Sequence, residues 1–273
     1  MAIDKKRFCL NRKIAPMLDI PTFFKLVHEI GLNKVELRND MPSGKVTDSL
    51  THQQVKELAN SYDIQIITIN AIYPFNRYDD QVRNLTLSML KEAQALDINA
   101  VILCPLNEGV SIPQDKIIYA LQELGELFKQ YGIAGLVEPL GFPESSLRSA
   151  FQAQELIKQA NVPFKLVVDT FHQYLYPDSK QDMQKLDVNS IGLVHLSGVK
   201  ADCTVQHLQD EQRVMLSQGE KLNSCEQVKI LEAKGYQGIY AFEPFSSELN
   251  HWDYEDIKRE VTQSIQMLQS YCA

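Results

Sequence analysis

The sequence has no apolar stretch approaching the roughly 20 residues that a membrane-spanning helix needs. Nor does an apolar block follow the charged start Met1-Ala2-Ile3-Asp4-Lys5-Lys6-Arg7, as it would in a signal peptide. A cytoplasmic location with no membrane partner is the resulting expectation. There is no CxxC pair: Cys9, Cys104, Cys203, Cys225 and Cys272 are odd in number and widely scattered. That pattern argues against a zinc knuckle or a disulfide framework and for five reduced thiols. Basic residues are not in surplus, since 27 Lys and Arg against 35 Asp and Glu give a net charge of −8. A phosphate-backbone partner is therefore disfavoured, and no nucleic acid is expected. No Gly-rich turn follows the first apolar run, which weighs against an open dinucleotide-binding sheet. No linker, low-complexity tract or break in composition divides the chain. Residues 1–273 thus read as one domain, a length that α/β barrels commonly use.

What is present is a run of short apolar segments alternating with helical patterns. Phe8-Cys9-Leu10-Asn11, Lys34-Val35-Glu36-Leu37, Ile64 to Asn70 and Asn99 to Cys104 read as the first four strands. Asp19 and Pro21 open a helix to about Ile30, with Gly31 as its cap, and Thr51 caps one ending near Tyr62. Helices are also predicted over Asp79–Leu96, with Val82, Leu85, Met89 and Ala93 on one stripe, and over Ile112–Tyr131, opened by Ser111 and Pro113. In the second half, helices near Ser146–Ala160, Gln181–Asp187, Asn223–Lys234 and Tyr254–Tyr271 separate or follow four more strands. Eight strands alternating with about eight helices predict a (β/α)8 TIM barrel.

Each of the last four strands ends in an acidic residue or a histidine. Ala134-Gly135-Leu136-Val137 leads to Glu138-Pro139, Lys165-Leu166-Val167-Val168 to Asp169, Ile191-Gly192-Leu193-Val194 to His195, and Ile239-Tyr240-Ala241-Phe242 to Glu243-Pro244. Strand ends of such a barrel open onto one face, where barrels carry their chemistry. A carboxylate at the edge of an apolar core needs a partner or a metal. Three oxygen ligands and one imidazole suit one divalent ion: Mn, Zn, Co or Mg. A residue before proline is pushed to extended geometry, so Glu138 and Glu243 are expected on their strands. The spacings 31, 26 and 48 fit single βα units for the first two only. The segment Gly198–Leu222 is therefore expected to form a long loop.

Other residues are open to two readings. His172 either faces the same cavity or merely starts a helix. Arg213, within Asp210-Glu211-Gln212-Arg213, reads most simply as part of a surface salt-bridge run. Asn11, Asn70 and Asn76 lie at or past strands one and three, and Phe75 is placed to wall a pocket. Arg12 and Lys13 either meet an anionic substrate or face solvent.

Taken together, Leu10-Asn11, Val35-Glu36-Leu37-Arg38, Asn70-Ala71 with Phe75-Asn76, Val137-Glu138, Val168-Asp169-Thr170-Phe171-His172, Val194-His195-Leu196, Asp210 to Val214 with Gln218-Gly219, and Phe242-Glu243 resemble the xylose-isomerase-like TIM-barrel family of sugar isomerases and epimerases. The resemblance spans essentially the whole chain. It implies that Glu138, Asp169, His195 and Glu243 are metal ligands, and that Glu138 and Glu243 are also the catalytic acid/base pair. It implies substrate contacts from His172 and Arg213, with Asn11, Asn70 and Phe75 beside them. The implied activity is proton transfer on a polyhydroxy ketone, a cyclic inosose ahead of an open-chain ketose. Epimerisation of a ketose, dehydration of an inosose, and a non-catalytic sugar-binding barrel are the alternatives. The sequence leaves a homo-oligomer open. Two stretches depart from the family pattern: Arg12-Lys13 after strand one, and Glu243-Pro244-Phe245-Ser246-Ser247 after strand eight.

Overall fold

Short aliphatic and β-branched runs become parallel strands wherever helices cover them. The computed structural model, which describes residues 2–273, has eight: β1 Phe8–Asn11, β2 Lys34–Arg38, β3 Gln65–Ile72, β4 Ala100–Leu103, β5 Ala134–Val137, β6 Lys165–Asp169, β7 Ile191–Leu196 and β8 Ile239–Phe242. Their order follows the chain, and β8 pairs with β1 to close the barrel. Leu10 is in register with Val35 on one side, and Phe8 with Tyr240 on the other. The helices are α1 Ile20–Ile30, α2 His52–Ser61, α3 Asp80–Ala95, α4 Gln114–Tyr131, α5 Ala150–Ala160, α6 Thr170–Leu175, α7 Ser179–Lys185, α8 Ser224–Ala233 and α9 Tyr254–Tyr271. This is the (β/α)8 barrel expected from the sequence. None of the described helices is long and apolar enough to cross a membrane, and none of the five cysteines is in a disulfide.

By internal contacts the described residues divide into two units, residues 2–66 with 194–273, and residues 67–193. In the first, Phe8 stacks on Phe242 with ring centroids 5.8 Å apart. Arg7 reaches both carboxylate oxygens of Glu232 at 2.8 and 2.9 Å. In the second, Phe128 meets Phe164 edge-on at 5.0 Å. Gly135 lets that ring approach, since a Cβ there would lie 2.6 Å from the Phe164 ring.

Several helix ends follow from local chemistry. Asp19 accepts a hydrogen bond from the Thr22 amide at 2.9 Å, and Gly31 ends α1 in the left-handed region at φ 79°. Thr51 and Gln54 cap each other's amides in a reciprocal box, as do Asp253 and Asp256. Other expectations shift. The helix expected from Ser146 begins at Ala150, because Ser149 caps the Gln152 amide while the Ser146 hydroxyl donates to the Leu106 carbonyl at 2.9 Å. The helix expected from Ile112 begins at Gln114, with Pro113 at its N-cap and no side-chain cap.

Candidate metal centre

Two of the four strand-end residues lie one position later than expected. Glu138 and Glu243 each follow the last residue of their strand, β5 and β8, although both continue its hydrogen bonding. The Glu138 amide donates to the Leu103 carbonyl at 3.0 Å and the Glu243 amide to the Leu196 carbonyl at 2.8 Å. The next residue is proline in both cases, and it has no amide with which to extend the ladder. Asp169 is the last residue of β6 and also the N-cap of α6, accepting from the Phe171 amide at 2.7 Å. His195 lies within β7. All four are buried. Each offers one ligand atom, and these atoms lie within 4.8 Å of one another. Three carboxylates and one imidazole at that spacing, out of water, fit a divalent ion, which neutralises charges that would otherwise be costly to bury.

The surroundings of Glu243 are densely charged. Oε1 accepts from Arg38 Nη1 at 2.5 Å and from Asn11 Nδ2 at 3.2 Å. Oε2 lies 2.9 Å from Arg213 Nη2 and 3.0 Å from His195 Nδ1. Burial pushes this carboxyl up, but His195, Arg213 and Arg38 outweigh it and hold it well below the usual carboxylate range. Burial also works against the charge on Arg38, and Asp40 and Glu243 overcome it, so the guanidinium is held more firmly protonated than usual. The far side of His195 meets a further buried carboxylate: Nε2 is 3.1 Å from Glu36 Oε1. Asn11 Nδ2 donates to that same oxygen at 3.2 Å.

Glu36 and Arg38 are the residues that sequence reasoning passed over. Both were visible only as part of a family-like stretch on β2. The available signal was their alternation: Glu36 and Arg38 project from one face of a strand whose other face carries Val35 and Leu37. On an exposed sheet such a face is wet. Here both residues are buried.

His172 lies in α6, buried, with Phe142 edge-on at 5.0 Å and Phe171 at 5.4 Å. Gly141 touches the backbone there, since a Cβ on it would lie 2.0 Å from the His172 carbonyl oxygen. Arg213 is no surface residue. It is 1% exposed, its Nε is 3.3 Å from Ser197 Oγ, and its guanidinium lies 4.4 Å from the Phe245 ring centre. Arg38 and Lys13 each lie 5.0 Å from the same ring. The chain around Arg213 is fastened twice: Gly198 and Val214 exchange backbone hydrogen bonds of 2.8 and 2.9 Å, and the Arg213 carbonyl accepts from the Phe245 and Ser246 amides. The loop expected over Gly198–Leu222 is thus present, with a 3₁₀ turn at Asp210–Gln212.

Asn70 is buried on β3, and Phe75 is buried after it with its amide bound to the Cys104 carbonyl at 3.0 Å. Asn76 ties loops together, donating to Ser146 Oγ and accepting from the Leu106 amide, both at 2.9 Å. Arg12 does not face solvent. It is buried and holds both oxygens of Asp48, at 3.0 and 2.5 Å. Lys13 is partly exposed and 3.9 Å from Asp40.

Residues 24–271 match the family model described as xylose isomerase-like TIM barrel. An inosose isomerase from Halalkalibacterium halodurans is 27% identical over 227 residues, covering 80% of this chain and 80% of its own. The crystal structure of a xylose isomerase domain containing protein from Salmonella typhimurium LT2 is 50% identical. It superposes with a TM-score of 0.96 over 98% of this chain and 99% of that one. The IOLI protein, solved with a binding zinc atom, shares the fold at 20% identity and a TM-score of 0.86, over 97% and 98% of the two chains.

Proposed function

Because the chain belongs to the xylose isomerase-like TIM-barrel family, we propose that Glu138, Asp169, His195 and Glu243 hold one divalent metal ion and that the protein isomerises a polyhydroxy ketone. The observation that carries this reading is the meeting of four donor atoms within 4.8 Å, supplied at or just past the ends of four successive strands. A divalent ion supplies Lewis acidity at a carbonyl and a neighbouring hydroxyl. The remaining chemistry falls to side chains. One glutamate, Glu138 or Glu243, removes the proton from the hydroxyl-bearing carbon beside the ketone, the other returns one to the former carbonyl carbon, and the hydroxyl proton passes to the former ketone oxygen, so that ketone and alcohol exchange places. Arg213, fixed by Glu243, Ser197 and Phe245, presents a cation to negative charge developing on substrate oxygen. His172 steadies the same charge, and Asn11, Asn70 and Phe75 line the substrate.

The favoured substrate is 2-keto-myo-inositol, supported by the inosose isomerase relative. The commitment of Arg12 to Asp48 also weakens the case for a phosphorylated sugar, which that arginine would otherwise suit. The test combines chelation with deuterium exchange. Candidate ketones are incubated in D₂O and loss of the C–H signal is followed by NMR. Exchange should stop on exhaustive chelation and return with Mn²⁺, Co²⁺ or Zn²⁺. Undiminished turnover in protein shown to be metal-free would sink the proposal. Product analysis separates an isomeric ketone from an epimer or a dehydrated dione. Tight binding with no exchange would mark a non-catalytic barrel.

A further inference from the structure

We propose that Glu36 is a positioning residue for His195. It accepts a hydrogen bond from Nε2–H, fixes the ring in one tautomer and orientation, and leaves Nδ1 as the nitrogen offered to the metal. The inference rests on the metal reading above and adds a residue to it.

A neutral imidazole carries one N–H, and the nitrogen that bears it has no lone pair for a metal. The two nitrogens of His195 face different carboxylates. Nδ1 lies 3.0 Å from Glu243 Oε2, a member of the four-donor cluster. Nε2 lies 3.1 and 3.3 Å from the two oxygens of Glu36, which is outside that cluster. Both His195 and Glu36 are 0% exposed, so water does not compete for this contact. An ionised carboxylate can only accept, so each pairing calls for a proton on the nitrogen that faces it; a metal held by the cluster would take the place of the one on Nδ1, whereas no member of the cluster lies against Nε2 to replace the one there. A metal-binding histidine whose second nitrogen donates to a carboxylate is more basic and more firmly aimed.

The fold holds Glu36 for this task. Glu36 on β2 is in register with Asn11 on β1. The Asn11 amide nitrogen donates to Glu36 Oε1 and to Glu243 Oε1, both at 3.2 Å. One amide therefore sets the spacing between a carboxylate that faces the cluster and the carboxylate behind the histidine. Glu36 does not itself need to touch substrate.

The test uses the full chain, with Glu36→Ala and Glu36→Gln as variants and zinc as the probe. Zinc affinity is measured by competition with a chromophoric chelator, and folding is checked by circular dichroism. Long-range ¹H–¹⁵N spectra report which nitrogen of His195 carries the proton. We expect Nε2 to be protonated with and without zinc, and only the Nδ1 signal to move on loading. Glu36→Ala should weaken zinc binding by roughly 10–100-fold, the range typical of lost carboxylate support. Glu36→Gln, which keeps an acceptor oxygen, should lose less. Zinc affinity in both variants within about twofold of wild type, well below that range, would overturn the role of Glu36 while leaving the metal site standing. A proton on Nδ1 in the zinc form would overturn it too. Wild-type protein that takes up no zinc, manganese or cobalt would instead defeat the metal reading, and this inference with it. Should Glu36→Ala fail to fold, the wild-type spectrum and Glu36→Gln still decide.

Discussion

Replacing Arg213 with methionine tests whether the surroundings of Glu243 form a dry, charge-balanced arrangement. Methionine keeps apolar bulk against Phe245 and removes the guanidinium. With it go the hydrogen bonds to Glu243 Oε2 at 2.9 Å, the Glu243 carbonyl at 3.0 Å, Ser197 Oγ at 3.3 Å and Asp210 at 3.2 Å. Asp210 is half exposed, so its share is small. The Arg213–Glu243 pair is buried at both ends. Removing one partner of such a pair costs about 3–5 kcal/mol, because the other charge is left in the interior. Arg38 remains 2.5 Å from Oε1 and offsets part of that, which places the expectation near about 3 kcal/mol. In a chain of this size the corresponding fall in Tm is roughly 6–12 °C. Melting is followed with chelator present, so that metal binding adds no stability of its own. Adding Glu243→Gln removes the stranded charge, and the double variant should show a coupling of at least about 1 kcal/mol. A Tm within about 1 °C of wild type would refute the reasoning and return Arg213 to the solvated surface run.

The acid/base assignment predicts that Glu138→Gln and Glu243→Gln each lose on the order of 10²-fold or more in kcat, whereas Asp169→Asn chiefly lowers metal content. Near-normal turnover in both glutamine variants with metal retained would move proton transfer to another group. Gly141→Ala introduces a Cβ 2.0 Å from the His172 carbonyl oxygen, so α6 must shift. A loss of about 10²-fold in kcat/KM is expected, as for a displacement of about 1 Å near reacting groups, and an unchanged value would show that His172 is not positioned through this contact. Burial pushes the Asp48 carboxyl up, but hydrogen bonds from Arg12 and Ser43 outweigh it and hold it below its ordinary value. A carboxyl depressed on folding stabilises the protein above its unfolded pKa, about 3.9, and that contribution fades as pH falls through the folded value. Asp48→Asn, whose backbone φ of 55° asparagine tolerates, should therefore flatten the loss of stability below about pH 4. An unchanged acid limb in denaturation curves would contradict this.

Much of the barrel was legible because its signals are local. Asp19, Gly31 and Thr51 mark helix ends through bonds to residues within a turn, and α9 spans the residues its periodicity indicated. The six-residue helix α6 was only half legible: a helix start at His172 was one of two readings, but the helix begins on the residue after β6, and six residues are too few for an apolar period to show. Ser146 and Ser149 are equivalent as capping residues in sequence. The choice between them falls to a distant partner, the Leu106 carbonyl, which engages Ser146. Within the site, the four strand-end residues stood out because each is polar after an apolar run. Glu36 and Arg38 did not, because alternating polar residues on a strand look the same whether the polar face meets water or a closed interior. The family resemblance named Arg213, but its burial was hidden for a related reason. Its neighbours Asp210 and Glu211 suggest a solvated run, and only the backbone pairing of Gly198 with Val214 carries it inward.

That pairing also makes the 15 residues between Gly198 and Val214 a closed ring of sequence, tied at its neck. Arg213 sits at the neck, held from the other side by the amides that follow β8. Most of the far arc, Ala201 to His207, is solvent-exposed. Length added or removed there costs only loop-closure entropy, which grows slowly with loop size. The arc is therefore mechanically insulated from the arginine. It is a place where a tag, a protease site or a binding peptide can be grafted without moving the cation beside Glu243.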